Sequence, residues 1–312
     1  MSTPKKGACI IFALAALASV PGVKAQTFTT LYNFTQLVLG AESGLILSSN
    51  TLYGAAASGT KAGGGAIFEI NIDGTGFTNL YSFSPSTGTF PELSTNSDGS
   101  LPHGALVLSG QTLFGTAMKS GSLGFGTVFA VNTDGTGFTN LHNFALGDGS
   151  QPNGVFLVSN TLYGTARTGG SSGVGTVFAV NTDGSGFTNL HRFSGGTGTF
   201  SDLTNTDGAI PSAGLSLSGN TLFGVGASGG DAGHGTLFSI TMLPPQLGIS
   251  QSTSNIILTW APHAPGVALQ CSTNLAADSS WIAVSPGPVL VDGLNTVTNA
   301  ISGPQLFYRL TQ

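Results

Sequence analysis

The feature that most limits the fold is a phrase the chain repeats. Gly-Thr-Val-Phe-Ala-Val-Asn-Thr-Asp-Gly-x-Gly-Phe-Thr-Asn-Leu-His runs from Gly126 to His142 and again from Gly175 to His191, with looser copies starting at Gly65 and Gly235. A second phrase precedes each copy, at Asn50–Gly54, Gln111–Gly115, Asn160–Gly164 and Asn220–Gly224. A third comes before that, at Gly44–Leu47, Ala105–Leu108, Val155–Val158 and Gly214–Leu217. A period of about 50 residues marks a unit that cannot bury its apolar surface alone and must stack on its neighbours.

Each unit holds four short runs of Val, Ile, Phe, Thr and Leu bounded by turn residues, which predicts four antiparallel strands. Asp-Gly between the third and fourth runs supplies the positive φ of a tight hairpin. Nothing beyond the first 26 residues has helical periodicity. In Thr127-Val128-Phe129-Ala130-Val131 both strand faces are apolar or small, as a sheet packed between two neighbours requires. Fourth-type strands are expected at Phe28–Phe34, Phe77–Phe83, Phe138–Phe144 and Phe187–Phe193, so the series opens on a fourth strand and ends, near Thr241, on a third. Pairing the opening segment with the last unit would leave no bare edge. The expectation is an all-β chain: a four-bladed β-propeller over residues 26–242, closed by its N-terminal strand. The interval from Gly115 to Gly164 is shorter than those on either side. The extra length lies in 84–103 and 194–213, where Thr87-Gly-Thr-Phe90-Pro-Glu92 matches Thr197-Gly-Thr-Phe200-Ser-Asp202, which predicts a pseudo-twofold ring.

The two ends of the chain read differently. Lys5 and Lys6, the apolar run Ala8–Val20 and Val23-Lys24-Ala25 form a signal peptide over residues 1–25, cleaved before Gln26. The protein is therefore expected to be secreted, periplasmic or at the cell surface. The apolar run is too short to span a bilayer, and no later segment qualifies. Cleavage leaves Cys271 as the one thiol, so no internal disulfide is expected and Cys271 reads as a small buried apolar residue. Beyond the Leu243-Pro244-Pro245 linker, residues 243–312 carry short strand-like runs at Ile256–Trp260, Val267–Gln270, Trp281–Val284 and Leu306–Leu310, read as a small β-sandwich. Trp260 is expected in its core, with Trp281 the other aromatic that could stack on a sugar.

The phrases GTVFAVNTDGTGFTNLHNF and NTLYGTA resemble the Gloeo/Verruco tandem repeat of exported bacterial proteins, the choice-of-anchor tandem-repeat proteins, over about residues 28–241. The resemblance implies an exported bacterial repeat protein and brings no activity with it. Members often end in a surface-sorting anchor, whereas this chain closes on Phe307-Tyr308-Arg309-Leu310-Thr311-Gln312. The C-terminal runs look like compact fibronectin-type-III-like modules.

Chemistry is sparse. Charged residues are 7% of the chain, against about 25% in ordinary soluble domains, and a nucleic-acid partner would need clustered cations. His142 and His191 align with Tyr32 and Tyr81 and read as filling between blades. Asp73, Asp134 and Asp183 read as turn residues, since the loop lacks the further ligands that calcium needs. No catalytic residues, cofactor or metal site are assigned. The candidate ligand-binding residues are Lys61, Lys119, Arg167, Asp231 and His234, on the loops between second and third strands, which would face an acidic glycan or a peptide of a surface protein. The expected function is an exported, non-catalytic binding or envelope-scaffold protein acting as a monomer. The alternatives are a carbohydrate-active enzyme using Glu92 and Asp202, and a purely structural spacer.

Overall fold

The protein is described by a computed structural model covering residues 28–34, 43–58, 63–87, 94–199, 202–242, 245–261, 267–275, 280–292, 294–301 and 305–311. Residues 1–25, expected to form a signal peptide, lie outside these. Every regular element among the described residues is a strand.

The repeat builds four sheets of four strands. Blade A holds β1 (Ile46–Ser48), β2 (Thr51–Ala56), β3 (Ala66–Asn71) and β4 (Thr78–Ser82). Blade B holds β5 (Ser100–Ser109), β6 (Thr112–Lys119), β7 (Thr127–Asn132) and β8 (Thr139–Asn143). Blade C holds β9 (Ser150–Val158), β10 (Thr161–Thr168), β11 (Thr176–Asn181) and β12 (Thr188–Arg192). In each of these three the strands pair in chain order, all antiparallel. Blade D splits its first strand into β13 (Ala209–Pro211) and β14 (Ser216–Ser218), both paired to β15 (Thr221–Ser228), which also pairs β16 (Thr236–Thr241).

Register repeats with the text. Gly54, Gly115, Gly164 and Gly224 face Phe68, Phe129, Phe178 and Phe238 in every second-to-third strand pair. A Cβ on any of these four glycines would lie 2.3–2.6 Å from that ring, so the glycine makes the room the phenylalanine occupies. The third strands are buried on both faces in blades A to C, as their unalternating sequence requires. Neighbouring blades meet along inner strands, β2 on β5, β5 and β6 on β9, and β10 on β13. The apolar clusters therefore lie between sheets: Phe114, Val128, Phe144, Leu162 and Phe178 between B and C, and Tyr53, Ile67, Phe83, Leu113 and Phe129 between A and B. The result is a propeller-like array.

The sealing pair expected from the sequence is not formed. β16 has β15 as its strand partner, and residues 28–34 are not in a strand. They lie against blade A, with Tyr32 stacked on Phe77 at 4.5 Å and Phe34 edge-on to Phe68 at 5.3 Å.

The last seven strands are β17 (Gly248–Ser252), β18 (Asn255–Trp260), β19 (Ala268–Ser272), β20 (Ile282–Ala283), β21 (Val289–Val291), β22 (Leu294–Ala300) and β23 (Phe307–Thr311). They form two sheets, ordered β17-β18-β22-β21 and β20-β19-β23, over a core of Leu258, Trp260, Leu269 and Val297. Trp260 is thus a core aromatic, as expected. Trp281 is covered by Arg309, whose guanidinium lies 4.2 Å from the ring centre while also donating to Gln270 Oε1. Cys271 is free and only half-buried, less enclosed than the sequence implied, because β19 lies on the smaller sheet.

Candidate binding face

One end of the array is built from a motif that recurs where the inner strands of blades B, C and D begin. It reads Asp98-Gly99-Ser100-Leu101-Pro102, Asp148-Gly149-Ser150-Gln151-Pro152 and Asp207-Gly208-Ala209-Ile210-Pro211. Leu101, Gln151 and Ile210 adopt φ of 56°, 57° and 52°, the left-handed region that non-glycine residues enter at a cost. Interblade hydrogen bonds hold them there. Their amides donate to Gly64 O at 2.8 Å, Phe125 O at 3.0 Å and Val174 O at 2.8 Å, all on the preceding blade. The proline that follows then lies against Gly65, Gly126 or Gly175 of that blade.

The three aspartates each lie against the strand-four ring of the preceding blade, and two of them are hydrogen-bonded to it. Tyr81 Oη donates to Asp98 Oδ2 at 2.8 Å, and the Ser84 amide donates to the same oxygen at 2.9 Å. His191 Nε2 lies 2.9 Å from Asp207 Oδ2, which also accepts from the Ser194 amide at 3.0 Å. His142 Nε2 lies 3.2 Å from Asp148 Oδ2, while the Ala145 amide donates to Oδ1 at 2.9 Å. The rings also stack on the next blade, Tyr81 on Phe138 at 3.9 Å and His142 on Phe187 at 3.5 Å. The expectation that Tyr and His fill space between blades holds, but their carboxylate partners were missed. The recurring Asp-Gly-x-x-Pro was the available signal.

Electrostatics follow from burial. Burial pushes the Tyr81 hydroxyl well above the usual tyrosine range, and Asp98 adds to it. Burial raises Asp207, but hydrogen bonds from Ser194 and His191 outweigh this and hold its carboxyl below the usual range. Burial lowers His142, opposed in part by Asp148. The neutral His142 ring is therefore favoured in the fold. Its contribution is present above the unfolded value of 6.5 and is lost as pH falls below it toward the lower folded value. Replacing His142 with Tyr, the residue blade A uses at this position, should keep the stack on Phe187 and remove that titration. Thermal midpoints measured between about pH 7.5 and pH 5.5 should fall less for His142→Tyr than for the parent. Equal slopes would mean that His142 carries no such coupling.

Two asparagines tie the loops together. Asn96 Oδ1 accepts from the amides of Gly99 at 2.7 Å and Gly121 at 2.9 Å, and its Nδ2 donates to Ser84 O and Gly99 O. Asn205 repeats this with Gly208 at 2.9 Å and Gly230 at 2.8 Å, donating to Ser194 O and Gly208 O. In blades B, C and D the loops between second and third strands are turns, closed by Gly126 N to Ser120 O, Gly175 N to Gly169 O and Gly235 N to Gly229 O. They bear the residues singled out in the sequence. Lys119 ends β6, Arg167 sits near the end of β10, and Asp231 and His234 lie in the turn after β15, all four exposed. No hydrogen bond or ion pair joins these four to one another among the described residues, and Lys61 lies outside those residues.

Farther in, the inner strands approach one another around a cavity of about 320 Å³, lined in part by Asn153, Gly154, Tyr163, Thr165, Ser212 and Leu215. Thr116 Oγ1 bridges two blades there, donating to His103 O at 2.9 Å and accepting from Gly154 N at 2.8 Å. His103, Asn153 and Ser212 each follow the proline of the motif. Their shared position was not recognised from the sequence. Burial pushes the Tyr163 hydroxyl in the cavity wall up to about 12.

Most other carboxylates are occupied by the backbone. Asp73, Asp134 and Asp183 each accept the amide two residues on, at 2.9 Å, as their turn assignment predicts. Asp202 Oδ1 accepts from Thr199 N at 2.7 Å, and Glu92 lies outside the described residues. Among the described residues no three of His, Cys, Asp and Glu are grouped to hold a metal. No described helix is long and apolar enough to cross a membrane.

Residues 92–243 match the model of the Gloeobacter/Verrucomicrobia repeat, which supports the repeat family read from the sequence. No curated protein matches the chain. Among solved structures, the putative TolB from Agrobacterium tumefaciens is similar at 13% identity and a TM-score of 0.35, over 69% of this chain and 58% of that one. An ulvan lyase of a polysaccharide lyase family is similar at 10% identity and a TM-score of 0.37, over 72% of this chain and 46% of that one. Bacteroides ovatus Xyloglucan PUL GH43B is similar at 10% identity and a TM-score of 0.36, over 86% of this chain and 54% of that one. The chain spans less than two thirds of the length of each.

Proposed function

We propose that this is an exported, non-catalytic binding or envelope-scaffold protein. Its four blades would belong to a sealed β-propeller, and residues 243–312 would form a fibronectin-type-III-like module. The observation that carries this reading is the use made of the acids. Asp73, Asp98, Asp134, Asp148, Asp183, Asp202 and Asp207 all accept hydrogen bonds from backbone amides. A carboxylate fixed to its own turn holds a loop in shape and is poorly placed to move a proton on a substrate. That speaks against the glycosidase alternative, whose Asp202 is exposed and bonded to Thr199. What the ordered turns leave free at the face are Lys119, Arg167, Asp231 and His234, a sparse set suited to an acidic glycan or a surface peptide.

A glycan array probed with the parent and with a Lys119→Ala, Arg167→Ala double variant tests the site. Loss of two charge-assisted hydrogen bonds should weaken binding of an acidic oligosaccharide by about tenfold or more. Equal binding would remove these loops as the site. Turnover on a polysaccharide panel that is abolished by Asp202→Ala would overturn the non-catalytic reading.

A further inference from the structure

The array ends in two surfaces that complement each other. At one end, residues 28–34 read Phe-Thr-Thr-Leu-Tyr-Asn-Phe, the counterpart of Phe77–Phe83. They sit on blade A as β4 and its flanking residues sit on blade B. Tyr32 stacks on Phe77 where Tyr81 stacks on Phe138. Phe34 meets Phe68 edge-on at 5.3 Å where Phe83 meets Phe129 at 5.3 Å. A Cβ on Gly74 would meet Leu31 O, just as one on Gly135 would meet Leu80 O. The segment therefore holds the place of an outer strand whose own blade would precede blade A.

At the other end, blade D has its first three strand positions and, among the described residues, no fourth. β16 alternates between half-buried and exposed residues where β7 and β11 are buried throughout or nearly so. Leu237 is 79% exposed, whereas its counterparts Ile67, Val128 and Val177 are at 0%. Phe223 is 40% exposed where Phe114 and Tyr163 are buried. An unpaired edge beside exposed apolar side chains is a template for another strand.

We propose that the fourth strand of blade D is supplied by residues 28–34 of a second copy of this chain, so that copies join head to tail. This rests on the propeller reading above and replaces the monomer expected from the sequence. Within one chain the segment is held on blade A, and blade contacts run from A to B to C to D. In that order the donor segment belongs to the A end and the acceptor edge to the D end, and the two are not paired within the chain. Joining the D end of one copy to the A end of the next would rebuild the blade-to-blade junction that occurs three times within the chain, from A to D. It would cover Leu237 and Phe223 together with the exposed Leu31 and Phe34. A head-to-tail contact whose rotation closes makes a ring with no free edge.

The register follows from β7 and β8, where Val128 faces His142 and Ala130 faces Thr139. By the same spacing Leu237 would face Tyr32 and Ser239 would face Thr29. The test uses the purified full chain with Cys9 and Cys271 both changed to Ser. Thr29→Cys and Ser239→Cys are made singly and together, then oxidised and resolved without reductant. Mixing the two single variants should give a disulfide-linked band of doubled mass, absent when either variant is oxidised with the unsubstituted chain, and native mass by light scattering should be that of two or more chains. An internally linked single chain from the double variant, with none from the mixture, would overturn the second copy and keep the sealed propeller. No link in either case, with both variants folded by circular dichroism, would overturn the strand pairing itself and with it the sealed propeller.

Discussion

Gly126→Ala is expected to lower the thermal midpoint by about 10 °C, from a loss of about 3 kcal/mol or more. Two costs combine. Gly126 has φ of +100°, where a side chain is strained whatever the surrounding space. A Cβ there would also lie 2.6 Å from both Ala117 O and the Pro152 ring, and 3.0 Å from Met118 O. Backbone and a proline ring cannot swing aside as a long side chain could, so blades B and C would have to part. Gly147→Ala is the matched control: a Cβ there meets nothing within 4 Å and its φ is not positive, so its effect should stay within about 0.5 kcal/mol. Calorimetry of both variants decides the matter. A Gly126→Ala midpoint within about 2 °C of the parent would mean that the Gly-Pro contact does not hold the blades.

Phe129→Ala should cost about 3–5 kcal/mol, the usual range for emptying a full aromatic site. Phe129 is completely buried, edge-on to Phe83 at 5.3 Å and stacked near Phe138 at 5.6 Å. Its ring also fills the gap left by Gly115. Removing it would hollow the junction between blades A and B. Denaturant unfolding should show a lower midpoint with little change in slope. A shift below about 1 kcal/mol would show that the junction relaxes around the hole.

The strands were legible because their text repeats and each residue type acts locally. Val128, Phe129 and Val131 announce a twice-buried strand without any knowledge of neighbours, and Asp134-Gly135 announces its hairpin. The face was less legible. Asp98, Asp148 and Asp207 find their partners on another blade, through a bond that sequence spacing does not encode. Their motif also falls next to loops of unequal length, which hides the alignment of Pro102, Pro152 and Pro211. Residues 28–34 carry the text of a fourth strand but are not in one, and they lie against blade A instead of pairing with β16. Their sequence says which strand they resemble, while the aromatic contacts of Tyr32 and Phe34 decide which blade they sit on.

Each of the four blades is also contiguous in the chain. Blade B needs only Ser100 to Asn143 to complete all its strand pairs, and blade C only Ser150 to Arg192. Pairings this close in sequence carry a small loop-closure penalty. A growing or translocating polypeptide can therefore set one sheet as soon as its residues emerge, and each finished sheet offers its apolar flank to the next. Blade D is the last to be made and the one whose outer strand cannot come from the residues that immediately follow it.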